Sequence, residues 1–159
     1  MLDKFRNDYI VHFYGAVFIP NKICMVTEYA KYGSLNDLMK RFRHNPISEK
    51  ARIKIIIYCS KGISYLRNNG ILHRDNKPNN FLIFNIDNID KTIINAKLTD
   101  FGSSITINMM MTNMTFTKGI GTPTYMSPEI LNRQHYKKPS DIFSFSITMY
   151  EVMKWESCI

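Results

Sequence analysis

Apolar and polar positions along the chain alternate with two different periods. Tyr9 to Phe18 and Ile23 to Tyr29 are apolar, β-rich runs separated by Ile19-Pro20-Asn21-Lys22, a turn composition, and the pattern predicts paired strands. Gly33-Ser34 then precedes Leu35, Leu38, Met39 and Phe42 at helical spacing, and Ser34 with Asp37 makes a capping-box pattern, so a short amphipathic helix is expected. A longer helix should start near Ser48, with Glu49 in its first turn, and stop at Asn69-Gly70. Its core face is expected to carry Ile53, Ile56, Ile57, Ile63 and Leu66, with Lys50, Lys54 and Lys61 largely off that face.

Two further strands are expected at Phe81 to Phe84 and Ile93 to Thr99, joined by the polar turn Asn85-Ile86-Asp87-Asn88-Ile89-Asp90. From Ser103 to Gly121 the pattern dissolves into Thr, Met, Asn and Ser, as in an exposed loop. Asp141 to Met153 is apolar on nearly every side, which places that helix in the middle of a domain.

At 159 residues the chain is long enough for one real core. The net charge of +8 would admit nucleic acid or an acidic membrane as partner, but the basic residues are scattered. Their densest cluster, Lys40-Arg41-Phe42-Arg43-His44, closes the first helix, where cations favour the C-terminal dipole. No aromatic residues alternate with a basic stripe, so nucleic-acid binding is not expected. Cys24, Cys59 and Cys158 are odd in number and widely spaced, which favours reduced thiols and a cytoplasmic setting over disulfides or zinc. Lys54 and Lys61 interrupt the best candidate for a membrane span, and Asp3, Lys4, Arg6 and Asp8 precede no apolar signal core. A soluble chain is expected, with anchoring through another part of a larger protein left open.

Candidate chemistry is concentrated in His73-Arg74-Asp75-Asn76-Lys77-Pro78-Asn79-Asn80. These eight positions bring an imidazole, a guanidinium, a carboxylate, an ammonium and an amide beside the apolar run Phe81-Leu82-Ile83-Phe84. Asp100-Phe101-Gly102 closes the second of the later strands, and Ser127-Pro128-Glu129 follows. Any one of these carboxylates alone reads as a turn residue. The His-Arg-Asp triplet with an Asn five residues after the Asp, then Asp-Phe-Gly, then Pro-Glu, in that order, resembles the protein kinases and within them the tyrosine-kinase-like branch. The likeness runs from about Asp8 to Trp155, with Asn76 in place of the usual Leu, Phe143 and Ser146 in place of Trp and Gly, and Ser127 in place of Ala.

That resemblance implies an α+β, protein-kinase-like fold in truncated form. Residues 1–29 would be a small-lobe remnant of two strands leading to the hinge. Residues 30–159 would be a partial, mainly helical large lobe with a β-hairpin at the cleft. It implies ATP and Mg²⁺ as cofactors and transfer of the γ-phosphate to protein Ser/Thr, possibly Tyr, hydroxyls. Asp75 would orient the substrate hydroxyl and take its proton, Lys77 would steady the phosphate, and Thr122 would bond to both. Asn80 and Asp100 would hold Mg²⁺; Glu28 and Ala30 would meet adenine at the hinge, with Thr27 guarding the pocket behind it and Leu82 beneath the ring. His73 would pack on Phe101, and Asp141 would either cap its helix or tie down the catalytic loop. Residues 119–129 resemble a peptide-substrate platform. Arg74 beside Asp75 marks kinases clamped by a phosphorylated loop, with Thr106, Thr112, Thr115 and Thr117 as candidate phosphosites or ordinary polar loop residues.

Neither a Gly-rich phosphate loop nor a strand Lys with its helix Glu occurs in the sequence. The chain as given is therefore expected to bind ATP weakly and to transfer phosphate slowly or not at all. Its first hairpin should present an uncovered edge and apolar face, and Glu129 should be a buried carboxylate without an arginine partner. The alternative reading is a non-catalytic, pseudokinase-like binding module or a truncated gene product.

Overall fold

Pro20 and Asn21 leave room for a tight turn and nothing longer, and Asn21 takes the left-handed conformation such turns need (φ 63°). Around it β1 (Phe13–Ile19) and β2 (Lys22–Thr27) pair antiparallel. The computed structural model describes residues 6–86, 94–107 and 120–157. β1 begins four positions after the expected Tyr9, because 9–11 are committed elsewhere. Leu98 N–H donates to Tyr9 O and Val11 N–H to Leu98 O, each at 2.9 Å, and Ile10 is buried between them. β2 in turn ends at Thr27, two residues short of the expected Tyr29. Tyr14, Phe18, Ile23 and Met25 are exposed, as expected of an uncovered hairpin.

α1 (Leu35–Arg41) starts on the expected capping box: Ser34 Oγ accepts from Asp37 N at 3.1 Å and Asp37 Oδ2 accepts from Ser34 N at 2.9 Å. α2 (Glu49–Asn68) starts on Ser48, whose hydroxyl accepts from Ala51 N, and is followed by Gly70 at φ 68°. Its buried face is the expected one only in part: Ile63 and Leu66 are buried and Ile56 packs partly against the core. Ala51, Ile55, Cys59, Gly62, Ile63 and Leu66 face the core, while Ile53 and Ile57 are exposed. The reason is close approach: a Cβ on Gly62 would stand 2.9 Å from Tyr9 O and 3.3 Å from Leu98 Cβ, so the helix turns its small residues to the strand. Counting isoleucines alone misses this.

β3 (Ile71–Leu72) leads into the catalytic-loop residues, and β4 (Phe81–Ile86) leaves them. β5 (Ile94–Leu98) pairs antiparallel with β4 in the register Phe81↔Leu98, Leu82↔Lys97, Ile83↔Ala96. Phe81, Ile83, Ala96 and Leu98 fill the core beneath this hairpin, each fully buried. β6 (Ile105–Thr106) pairs with β3, an arrangement too short to read from periodicity.

After α3 (Pro128–Leu131) comes α4 (Lys138–Lys154). Its apolar pattern suggests cover on all sides, but only one face is buried, and that face is largely polar: Ser140, Asp141, Ser144, Phe145, Thr148, Glu151 and Val152. Ile142, Met149, Tyr150 and Met153 are exposed. The buried polar groups of α4 do not fill space; they hold the loops described next. At its far end Trp155, in the left-handed conformation, donates from Nε1 to Phe42 O at 3.1 Å, and Arg52 stacks over its ring while donating to Met153 O. Together these give the α+β, protein-kinase-like architecture expected, with hairpin β4–β5 lying between the small sheet and the helices.

Candidate active site

The loop after β3 would be free to wander without a partner for its N–H groups, and α4 supplies one. Asp141 accepts from His73 N and Arg74 N at 2.8 Å each and from Tyr136 Oη at 2.9 Å. Of the two roles open to Asp141, it is the tie to the loop that the structure displays. Burial first, and then the carboxylate's charge, push the Tyr136 phenol far above its ordinary range, so it stays a donor. Arg74 is turned into the left-handed region (φ 68°), and its carbonyl faces Gly121, where a Cβ would stand 2.8 Å away. Gly121, itself at φ 94°, is therefore the residue that lets the segment around Thr122 close on the loop after β3.

That closure brings four expected site residues together on one carboxylate. Asp75 Oδ1 accepts from Thr122 Oγ1 at 2.8 Å; Asp75 Oδ2 accepts from Lys77 Nζ at 2.8 Å and from Asn80 Nδ2 at 3.1 Å. Lys77 Nζ also donates to Thr122 Oγ1 at 2.7 Å. Burial raises the pKa of Asp75, but the Lys77 ammonium and the Thr122 and Asn80 donors outweigh it, so the carboxyl is held below its usual range and is ionised at neutral pH. An ionised carboxylate with a cation beside it can orient a hydroxyl and accept its proton.

Asn80 has a second hydrogen bond from Nδ2, to Asp75 O at 2.8 Å. With its nitrogen committed to Asp75, the amide's oxygen is the atom it can offer to a cation. Thr99 N–H donates to Asn80 O at 2.9 Å, which sets Asp100, the next residue, beside the catalytic loop. Asp100 is left-handed (φ 60°), accepts from Gly102 N, and is exposed. No three His, Cys, Asp or Glu side chains gather into a metal cage among the described residues. An amide oxygen and one free carboxylate suit Mg²⁺, which keeps water and phosphate in most of its positions.

His73 packs edge-on against Phe101 at 5.5 Å. Its Nε2 contacts Thr99 O at 2.9 Å, and since a carbonyl only accepts, Nε2 carries the proton. Nδ1 is then a bare acceptor, buried and without a partner. Burial lowers the pKa of His73, so the ring is neutral.

At the other end of the cleft β2 delivers Thr27, Glu28 and Ala30. Thr27 is exposed and donates to Glu28 O at 3.3 Å, so no wall among the described residues lies behind it. Ala30 O accepts from Gly33 N, and Gly33 O accepts from Ile83 N, which seats the segment against β4 next to half-buried Leu82. Sequence reasoning missed Lys97. Directly opposite Leu82, it pairs with Glu28 at 2.7 Å. The one charged residue of β5, three positions before Asp100, was the available signal.

Glu129 is not the stranded carboxylate expected. It is only half-buried and accepts from Ser140 Oγ at 2.8 Å. The platform is held to α4 by Tyr125, whose hydroxyl donates to buried Glu151 at 2.9 Å and whose carbonyl accepts from Ser144 Oγ at 2.7 Å. Asn76, fully buried where the kinases carry Leu, donates weakly to Asp141 O at 3.4 Å and leaves its own oxygen without a partner. Of the candidate phosphosites Thr106 lies in β6, while Thr112, Thr115 and Thr117 fall outside the described residues, as does Cys158. Cys24 and Cys59 are free thiols. No helix among the described residues is long and apolar enough to cross a membrane.

The family model described as protein kinase domain matches residues 1–158. The chain is 32% identical over 180 residues to a probable serine/threonine-protein kinase, gdt9, of Dictyostelium discoideum, covering 96% of this chain and 11% of that protein. It is 35% identical over 154 residues to the serine/threonine-protein kinase cst-1 of Caenorhabditis briggsae, covering 96% of this chain and 29% of that protein. To the dual specificity mitogen-activated protein kinase kinase dSOR1 of Drosophila melanogaster it is 39% identical over 145 residues, covering 91% and 33%. The chain thus spans a third or less of the length of these relatives.

Proposed function

The chain belongs to the protein kinase family, and from that premise we propose that it carries the catalytic loop of an ATP-dependent, Ser/Thr-directed kinase of the tyrosine-kinase-like branch, acting on protein substrates in the cytoplasm. The observation that carries the reading is the convergence of Lys77, Asn80 and Thr122 on the Asp75 carboxylate. Residues 1–29 belong to the nucleotide-side lobe in this reading and 30–159 to the substrate-side lobe.

Asp75 accepts the proton of the attacking hydroxyl, and Lys77, already shared between Asp75 and Thr122, neutralises charge that builds on the transferred group. Thr122 belongs to the turn that would receive the peptide, so substrate docking and base orientation are coupled through one hydroxyl. Asn80 and Asp100 would hold Mg²⁺, which when bound would supply positive charge to the phosphates. Glu28 and Ala30 offer backbone groups to adenine, with Thr27 at the pocket's edge and Leu82 as the floor. The Ser/Thr preference rests on Lys77 with Pro78 and on the platform of residues 119–129, where dedicated tyrosine kinases usually carry an arginine and a different platform.

Replacement Asp75→Asn tests the reading in the full protein. Phosphate transfer to a generic protein substrate should fall about 10²- to 10⁴-fold, as for loss of a general base, with nucleotide affinity nearly unchanged. Undiminished transfer by this variant would remove Asp75 from the role. Absence of MgATP binding by the unsubstituted protein would favour a non-catalytic binding module.

A further inference from the structure

Two ion pairs occur among the described residues, and only one of them lies in the catalytic loop. In the other, Lys97 Nζ meets Glu28 Oε1 at 2.7 Å and Oε2 at 2.8 Å. Both side chains are more than four-fifths buried, at 15% and 18% exposure. On the basis of the nucleotide reading above, we infer that Lys97 is a positioning residue for the nucleotide, acting through Glu28.

Strand geometry puts Lys97 on the cleft side. Alternation along β4 and β5 sends Phe81, Ile83, Ala96 and Leu98 into the core, and Leu82, Phe84 and Lys97 to the opposite face. Lys97 thus stands beside the proposed adenine floor, Leu82, with its ammonium 5.0 Å from the centre of the Phe84 ring. From there it reaches the segment proposed to meet adenine.

Glu28 is the most firmly held residue of that segment. Besides both bonds to Lys97, Oε1 accepts from His12 N at 2.7 Å, and Glu28 N–H donates to His12 O at 3.0 Å. The hairpin leading to it is exposed along almost its whole length and has little packing to fix its angle over β4–β5. An apolar pair would serve stability as well as a partly desolvated ion pair does, so the gain from charge here is in geometry. Lys97 also lies three residues before Asp100. One side chain therefore links the segment under adenine to the strand that presents the proposed metal carboxylate.

The test uses the full protein and its variants Lys97→Met, Lys97→Arg and the swap Glu28→Lys with Lys97→Glu. A ribose-labelled fluorescent ATP analogue is titrated with Mg²⁺, and amide exchange at His12 and the unfolding midpoint are measured alongside. Lys97→Met should weaken binding about five- to tenfold, the worth of a part-exposed charged contact, and speed exchange at His12 while the midpoint hardly moves. Lys97→Arg should recover most of the affinity, and the swap, which restores the ion pair but leaves His12 N–H without its carboxylate acceptor, should recover a part of it. Equal affinity of Lys97→Met and the unsubstituted protein overturns the inference and leaves the nucleotide reading standing. A loss that follows the unfolding midpoint and is not recovered by Arg also overturns it. No binding by the unsubstituted protein overturns the nucleotide reading, and the role of Lys97 with it.

Discussion

Lys77 and Thr122, 45 positions apart, meet at 2.7 Å over the carboxylate of Asp75. The contact joins the catalytic loop to the substrate platform, and each half of it is positioned by α4: the loop through Asp141, the platform through Ser144 and Glu151. A helix whose buried face is mostly polar thereby holds the loop of Asp75 and the turn of Thr122 against each other.

Thr122→Ala should leave Asp75 Oδ1 without its protein donor and free the carboxylate to rotate. Transfer is expected to fall by about 10²-fold, the scale of a misplacement near 1 Å, with little change in nucleotide affinity. Thr122→Ser should keep most of the rate. Steady-state kinetics of the two variants, compared at saturating ATP, check both expectations.

Asp141→Ala strands three donors at once, His73 N, Arg74 N and Tyr136 Oη. At the usual cost of an unsatisfied buried group the protein should lose about 3 kcal/mol or more. Urea unfolding measures this, and Asp141→Asn, which retains one acceptor oxygen, should lose less.

His73 gives a pH dependence with a definite sign. Burial holds its folded pKa below the ordinary histidine value of 6.5, so the folded ring stays neutral where the unfolded ring takes up a proton. The unfolded state then binds more protons, and stability rises with pH in that window. The contribution is fully present above 6.5 and is lost as pH falls from 6.5 through the lower folded value, by at most about 1.4 kcal/mol per pH unit for one proton. Urea unfolding above and below 6.5 should show this slope, and His73→Phe should flatten it.

Much of this was legible in the residues themselves. The Ser34–Asp37 capping box, the Ser48 start of α2 and the β4–β5 hairpin follow from local pattern, and the Thr122 bonds to Asp75 and Lys77 were implied by the family resemblance alone. What failed was tertiary. Ile53 and Ile57 looked like core, yet Gly62 and Cys59 face β5 because the strand comes too close for larger side chains. The segment 9–11 looked like the start of β1, but Tyr9 and Val11 bond to Leu98 instead. Glu129 looked stranded because no local rule predicts that Ser140, eleven residues on, donates to it. Lys97 carried no motif, and only the register of β4 and β5 brings it to Glu28.

The central claim is that Asp75, Asn80 and Asp100 surround a single metal–nucleotide site. It is tested most directly by adding Mn²⁺ with ATP to the isotope-labelled protein and recording which backbone amide signals broaden. Broadening confined to the amides around Asp75, Asn80 and Asp100, dependent on ATP and reversed by excess Mg²⁺, is the predicted result. Broadening elsewhere, or the same pattern without nucleotide, would contradict the account.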